Sequence, residues 1–334
     1  MDLQPAQRIY TRERNWDYRQ PAIYLITLTV KDRQPLLGML VGGVDDARVE
    51  PTNLGWKVFD LIGDIPNHHP EIQILQRMIM PDHVHFILRV NQPMQQPLGT
   101  CIRGLKWACN EAWKQSRSTL FLQPERLSGE ETSLNDETSQ SLFERDFYPS
   151  RLVGNGQLRA MFDYLRDNPR RLAVKRASSE YFRIERGVVL EGTKVDMIGN
   201  QSLLKGPLQV VHVHQVWTPT EIEQHARQCV AAAQSGVALI SPFISRDERR
   251  IRDSVLQQGG KVVVIRQEGF GELYKPEPLY FDACAEGRVL LVAVGEYRQK
   301  GEHVSRTQCV EMNSLAERVA LRHPVSSAGK TFLR

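Results

Sequence analysis

A chain of 334 residues, 41% hydrophobic and 25% charged, has material for two ordinary globular domains, and its formal charge of +4 with a sequence pI of about 8.8 is too mild for a protein that coats nucleic acid. No run of about eighteen apolar residues is present, so no membrane-spanning helix is expected, and the polar, charged amino terminus lacks the apolar core of a secretory signal. Cys101, Cys109, Cys229, Cys284 and Cys309 are odd in number and scattered without a C-x-x-C, which favours free thiols and a cytoplasmic location over a disulfide framework or zinc ribbon.

In chain order, the first segment with a chemical signature is Met80-Pro81-Asp82-His83-Val84-His85-Phe86-Ile87-Leu88, which reads as a buried strand entered through a turn. Side chains alternate across a strand, so His83 and His85 share one face about 6–7 Å apart at Cβ, within reach of one ion, while Val84, Phe86 and Leu88 share the other. Two imidazoles are too few to hold a divalent cation, so a third ligand or a substrate must complete the set. The alternative is a pair that decorates a half-exposed strand, the usual meaning of an isolated H-x-H. His68-His69, upstream, lies in a Pro-bounded loop that gives it no defined role.

A helix is expected over about 97–118, carrying Lys106 either as a DNA contact or as a surface lysine. Trp16, Tyr18, Trp107 and Trp113 are candidates to stack on unpaired bases or to fill the core, and Trp107, close to Leu105 and Gly104, is expected to pack. Residues 125–141 are polar and read as a flexible insertion, which costs little because loop-closure entropy grows only logarithmically with length. A second helix follows, on which Leu158, Met161, Phe162 and Leu165 form an i, i+3, i+4, i+7 stripe, and Tyr164 and Asn168, four apart on one face, flank it. Arg166, Arg170, Arg171, Lys175, Arg176, Arg183 and Arg186 then outnumber Asp167, Glu180 and Glu185, a run that either neutralises phosphates or forms a solvated face.

Composition shifts near Gly192 to Pro207, so residues 188–206 read as a linker. Beyond it, apolar runs Val210–Val216, Val237–Ile240, Val262–Ile265 and Val289–Val294 alternate with helices at Glu221–Gln234 and Asp247–Gln258, the order of a parallel α/β sheet. Thr218-Pro219-Thr220-Glu221 and Ser245-Arg246-Asp247-Glu248 have capping-box form. His212 and His214 repeat the H-x-H spacing, but no Tyr-x-x-x-Asn helix follows them, and the polar face of an edge strand explains them better.

The H-x-H strand followed by Tyr164-x-x-x-Asn168-Pro169 resembles the single-tyrosine HUH transposases of bacterial insertion sequences, in their REP-associated tyrosine transposase branch. The segment Tyr24 to Arg33 is similar to that family's first strand and its charged close, Gly104-Leu105-Lys106-Trp107 to its lysine-bearing helix, and Phe143-Glu144-Arg145-Asp146-Phe147-Tyr148 to the approach to its tyrosine helix. Pro149 departs from the pattern, standing where many relatives carry an acidic residue. The second half resembles the Rossmann-like domain of the DNA-processing protein (DprA/Smf) family through residues 238–245, Gly259-Gly260-Lys261 and Tyr274-Lys275-Pro276. There the usual glycine-rich loop is replaced by Ser241-Pro242-Phe243-Ile244-Ser245, and Asp247 and Glu248 in the next helical turn oppose a bound phosphate, so no nucleotide cofactor is expected.

The resemblances imply an α+β ferredoxin-like HUH domain over 1–187 and an α/β Rossmann-like domain over 207–334. They further imply His83, His85 and Asn168 as ligands of a magnesium or manganese ion and Tyr164 as nucleophile, while the basic residues Lys106, Arg166, Arg170, Arg171, Lys175 and Arg176 are the candidate DNA contacts read from the charge pattern. The expected activity is cleavage and rejoining of hairpin- or repeat-bearing single-stranded DNA through a 5′-phosphotyrosyl link, in a monomer or a homodimer. The competing expectation is a non-catalytic single-strand-binding protein that acts through its second domain, with a nucleotide hydrolase as a weaker third.

Overall fold

The computed structural model describes residues 16–121, 141–214, 216–271, 274–296 and 304–322. They form a mixed α/β structure in two compact units, Met1–Ala173 and Val174–Arg334. The expected insertion at 125–141 lies outside the described residues except for Ser141.

The first unit begins with β1 (Ala22–Thr29), followed by a short hairpin of β2 (Gly38–Val41) and β3 (Arg48–Pro51), then α1 (Asn53–Gly63) and a single turn α2 (Ile65–His68). Next come β4 (Ile72–Met80), β5 (His83–Val90), α3 (Leu98–Phe121), β6 (Tyr148–Leu152) and α4 (Gln157–Ala177). The Thr52 hydroxyl starts α1 by accepting from Gly55 N at 3.0 Å. Gly55 also lets that helix close on the sheet, because a Cβ there would collide with the Leu37 carbonyl.

The four strands pair antiparallel in the order β4-β5-β1-β6. Two strand–helix–strand crossovers interleave: β1-α1-β4 leaves a gap filled by β5, and β5-α3-β6 leaves one filled by β1. On one sheet face Tyr24, Ile26, Leu28, Val84, Phe86 and Leu88 pack against Val58 and Ile62 of α1 and Leu98, Ile102 and Leu105 of α3. Burial of each such side chain contributes about 2–3 kcal/mol. Strand alternation turns Thr27, Thr29, His83, His85 and Ile87 to the other face.

The core stripe of α3 falls at 98, 101, 102, 105 and 109, and at 100° per residue position 107 lies about 200° from Leu105. Trp107 is accordingly 68% exposed, against the packing expected from its neighbours. Trp16, Tyr18 and Trp113 do pack against the core, Trp16 donating to the Tyr24 hydroxyl at 2.7 Å. Pro149 sits opposite Ile26 in the edge strand β6, a location that tolerates a residue without an amide hydrogen.

The boundary between the units falls within α4, before the Gly187 expected from sequence. The stretch read as a linker, 188–206, instead holds most of a hairpin of β7 (Glu185–Leu190) and β8 (Thr193–Gly199). Glu191 and Gly192 turn it with φ of 47° and 75°, the left-handed pair that a tight hairpin requires.

After it come β9 (Leu208–Val210), α5 (Pro219–Gln234), β10 (Ala238–Ser241), α6 (Arg246–Gln257), β11 (Lys261–Arg266), α7 (Pro278–Ala285), β12 (Val289–Ala293) and α8 (Arg306–Arg322). The six-stranded sheet runs β7-β8-β12-β11-β10-β9, with β9 to β12 parallel and in sequential order and β8 antiparallel to β12. Met312, Leu315 and Val319 of α8 cover one face over Ile240, Val263 and Leu290, and α5, α6 and α7 are the helices that connect or follow the parallel strands. Cover on both faces explains why β11 and β12 are continuous apolar runs rather than alternating ones. Both expected capping boxes form, at Thr218 and Ser245. β9 ends at Val210, so the expected strand to Val216 is cut short. No helix among the described residues is long and apolar enough to cross a membrane.

Candidate active site

The imidazoles of His83 and His85 are set by strand register. Thr27 stands opposite His85 and Thr29 opposite His83 across the β1–β5 pair, with Met78 and Met80 of β4 completing the same two rungs. The Pro81-Asp82 turn between β4 and β5 is pinned by Val30 N donating to the Asp82 carbonyl at 2.9 Å and Leu37 N donating to the Pro81 carbonyl at 3.0 Å. It delivers the Asp82 carboxylate to two partners: Oδ1 lies 2.6 Å from His83 Nδ1, and Arg33 donates to Oδ2 at 2.9 Å. Burial by itself pushes the Asp82 carboxyl up, but the His83 hydrogen bond and charge, with Arg33 behind them, hold it well below the usual carboxylate range.

Thr27 Oγ1 lies 2.7 Å from His85 Nδ1, so an oxygen anchors the Nδ1 of each ring and thereby orients its Nε2 edge. The two rings are 4.7 Å apart at their centroids and near perpendicular, and both residues are buried.

Tyr164 of α4 places its ring 6.2 Å from that of His85. Burial raises the phenol's pKa, and the positive charge of Arg171, whose buried guanidinium carbon is 5.8 Å from the Tyr164 ring, works against that rise. One turn beyond Tyr164, Asn168 is only 3% exposed, and its Nδ2 has no hydrogen-bond partner among the described residues. A buried amide nitrogen left unpaired is costly and marks a place where a partner is missing. Pro169 follows inside the helix, and without an amide hydrogen it cannot bond the Leu165 carbonyl. Of the expected stripe on α4, Leu165 is fully buried, whereas Leu158, Met161 and Phe162 are half-buried.

Four expectations change with the geometry. Lys106 is buried, and its ammonium donates to the carbonyls of Glu144 at 2.8 Å, Arg145 at 3.1 Å and Asp146 at 3.0 Å; with three donors on three acceptors it holds the segment before β6. Arg171 is buried with its guanidinium carbon 5.8 Å from the Tyr164 ring. Arg166 and Arg170 are paired along the helix with Asp163 at 3.3 Å and Asp167 at 2.6 Å, which offsets part of the basic run. Lys175 and Arg176 lie in the last turn of α4, beyond the unit boundary.

Asp82, Arg33 and Thr27 are the site residues that sequence reasoning passed over. Asp82 was visible as the residue beside His83, whereas Thr27 is 58 positions from His85 and is located only by the strand register.

The second H-x-H pair lies beyond β9 and not on an edge strand. His212 and His214 stack at 4.5 Å, His214 meets Trp217 at 4.9 Å, and Trp217 meets His225 at 5.1 Å. Burial, then the neighbouring imidazoles, lower the His225 pKa, against a smaller opposite pull from Glu248.

No family model matches the chain. An uncharacterized protein of Haemophilus influenzae is 23% identical over 161 residues, which span 47% of this chain and 86% of that protein. Among solved structures, a REP-associated tyrosine transposase bound to a REP hairpin is similar at a TM-score of 0.32 and 16% identity, over 48% of this chain and 72% of that one. A protein from Deinococcus radiodurans r1 described as a candidate transposase is similar at a TM-score of 0.27 and 18% identity, over 47% of this chain and 95% of that one. Similarity this distant assigns no activity.

Proposed function

We propose that the first unit is a metal-dependent single-stranded DNA endonuclease and strand transferase of transposase type, with Tyr164 as its nucleophile. The observation that carries the reading is the Tyr164 ring against His85, on a helix whose next turn holds the buried Asn168, its Nδ2 without a partner among the described residues. The β-α-β-β-α-β order of the unit supports the ferredoxin-like expectation. For the second unit, the sequential parallel strands support a Rossmann-like module of the DNA-processing kind.

Among the described residues no group of three or more His, Cys, Asp or Glu is arranged to hold a metal. The ligand set that the resemblance implies is His83, His85 and the Asn168 side-chain amide. The donors fit a divalent ion with open positions, the two imidazoles being held by Asp82 and Thr27 as metal-binding histidines are. They suit manganese better than magnesium, which prefers carboxylate and water oxygen. When bound, the ion supplies Lewis acidity at a non-bridging phosphate oxygen.

Tyr164 does the covalent work. Its phenol oxygen bonds to phosphorus as the P–O3′ bond breaks, the phenol proton passes to solvent, and the departing 3′ oxygen takes up a proton. The products are a 5′-phosphotyrosyl link and a free 3′-hydroxyl, and the reverse step rejoins the strand without a nucleotide cofactor. Even at the reference pKa near 10 only about one tyrosine in a thousand is ionised at neutral pH, and burial lowers that fraction here, so the Arg171 charge beside the ring assists the attack by opposing the rise. The contact between the His85 and Tyr164 rings within one chain supports a site completed by a single chain. Hairpin-flanked single strands are the substrate class that the resemblance implies.

The test is incubation with labelled hairpin-bearing single-stranded DNAs and manganese, followed by a denaturing protein gel. A labelled band from wild type and none from Tyr164→Phe is the expected result. DNA binding without a covalent band on any substrate overturns the proposal in favour of a binding protein.

A further inference from the structure

The second unit carries a cavity that the proposed chemistry does not use. It has a volume of about 330 Å³ and opens where β10 and β11 end, between the Pro242–Ile244 turn and Arg266-Gln267-Glu268. Open parallel sheets bind ligands beyond the carboxyl ends of their strands. Small-molecule sites run from about 300 to 1,000 Å³, so this one has room for a single nucleotide and not for a dinucleotide.

Its lining combines three arginines and two glutamates with the aromatic rings of Phe243 and Tyr280. Arg249, Arg252 and Arg266 line it together with Glu268 and Glu277. Both glutamates are engaged by Arg266, at 3.6 Å and 3.1 Å. Arg252 is held by Asp253 and donates to the Tyr280 hydroxyl at 2.7 Å, and Arg249 is exposed with no side-chain partner among the described residues. The sequence argument against a phosphate here was the pair of acids in the first turn of α6. Neither lines the cavity: Glu248 is buried and accepts from Val213 N at 3.1 Å and Ser245 N at 2.9 Å, and Asp247 lies 4.0 Å from Arg250.

Two further observations ask for an occupant. Arg266 Nε and Gln267 Oε1, a donor and an acceptor on adjacent residues, are buried without a partner among the described residues. Phe243, buried on the cavity wall, holds φ at 49°, a left-handed conformation that costs a bulky residue energy and recurs at ligand sites. The imidazole and indole ladder His212-His214-Trp217-His225 follows β9 at this same carboxyl edge of the sheet, and stacked rings of that kind take unpaired bases.

We propose that this cavity binds one phosphorylated nucleoside, with Arg249 and Arg252 on the phosphate and the Arg266 Nε and Gln267 Oε1 pair on the edge of the base. The occupant is either a free nucleoside monophosphate or the 5′-phosphorylated end of a single strand. The proposal is independent of the chemistry assigned to Tyr164.

The experiment is calorimetric titration of the full-length protein with adenosine and thymidine 5′-monophosphates, the matching nucleosides, and a short oligothymidylate with and without a 5′-phosphate. Saturable binding of the phosphorylated probes, weakened about tenfold or more in the nucleosides and in both Arg249→Ala and Gln267→Ala, is the expected result. If a strand end is the occupant, the 5′-phosphorylated oligonucleotide binds more tightly than the mononucleotide, and Trp217→Ala removes that excess alone; if a free nucleotide is, the oligonucleotide gains nothing. Absence of saturable binding by every phosphorylated probe overturns the proposal, as does unchanged affinity in Arg249→Ala, whose exposed side chain can be removed without opening a void.

Discussion

Replacing Lys106 by Met separates the structural role assigned here from a DNA contact. The ammonium makes three charge-assisted hydrogen bonds of 2.8 to 3.1 Å to consecutive carbonyls from Glu144 to Asp146. Each is worth about 1.5–3 kcal/mol when the donor is charged. The segment it holds is only half-buried, so water replaces part of what is lost, and the net destabilisation expected is about 2–4 kcal/mol rather than the sum. For a unit of this size that lowers the melting midpoint by about 5–15 °C. The assay is thermal and urea unfolding followed by circular dichroism, beside a salt titration of single-stranded DNA binding. An unchanged midpoint with weakened, salt-sensitive DNA binding would refute the reasoning and return Lys106 to the DNA surface.

Mixing Tyr164→Phe with His83→Ala protein leaves covalent DNA cleavage at background, since each chain carries its own His85–Tyr164 contact; recovered cleavage on the gel means that the site is shared between chains. Thr27→Val frees His85 Nδ1 and weakens manganese binding by about tenfold or more, read by paramagnetic titration, with little change in melting. Burial pushes Cys101, Cys109 and Cys284 up to about 12 and Cys229 up to about 11. Thiolate at pH 8 is therefore on the order of one part in a thousand or less at these four. An aromatic disulfide reagent at that pH is expected to titrate Cys309 in the native protein, to gain the others only as pH passes about 11, and to count all five in denaturant.

The elements that the sequence declared were those whose signal is local. The His83–Leu88 strand, the Tyr164 helix and the capping boxes at Thr218 and Ser245 each follow from residues a few positions apart. The β7–β8 hairpin was misread as a linker because charged residues interrupt its apolar pattern, although Glu191-Gly192 between two apolar stretches is a turn signal of the kind that ties hairpins. Trp107 is exposed despite its closeness in sequence to Leu105, because two residues along a helix point to nearly opposite sides. The Thr27 hydroxyl on His85 and the Lys106 cradle depend on register and on contacts across 58 and about 40 positions, which no window along the chain contains.

Pro169 in α4 has a kinetic consequence. Helix fluctuations spread because each opened rung loosens the next, and a missing rung between Leu165 and Pro169 interrupts that spread. The turn that bears Tyr164 can fray and re-form without unwinding Arg170 to Ala177, so amide hydrogen exchange before the proline is decoupled from exchange after it. In the proposed reaction such a turn would let Tyr164 follow a strand's phosphate while the rest of its helix stays wound.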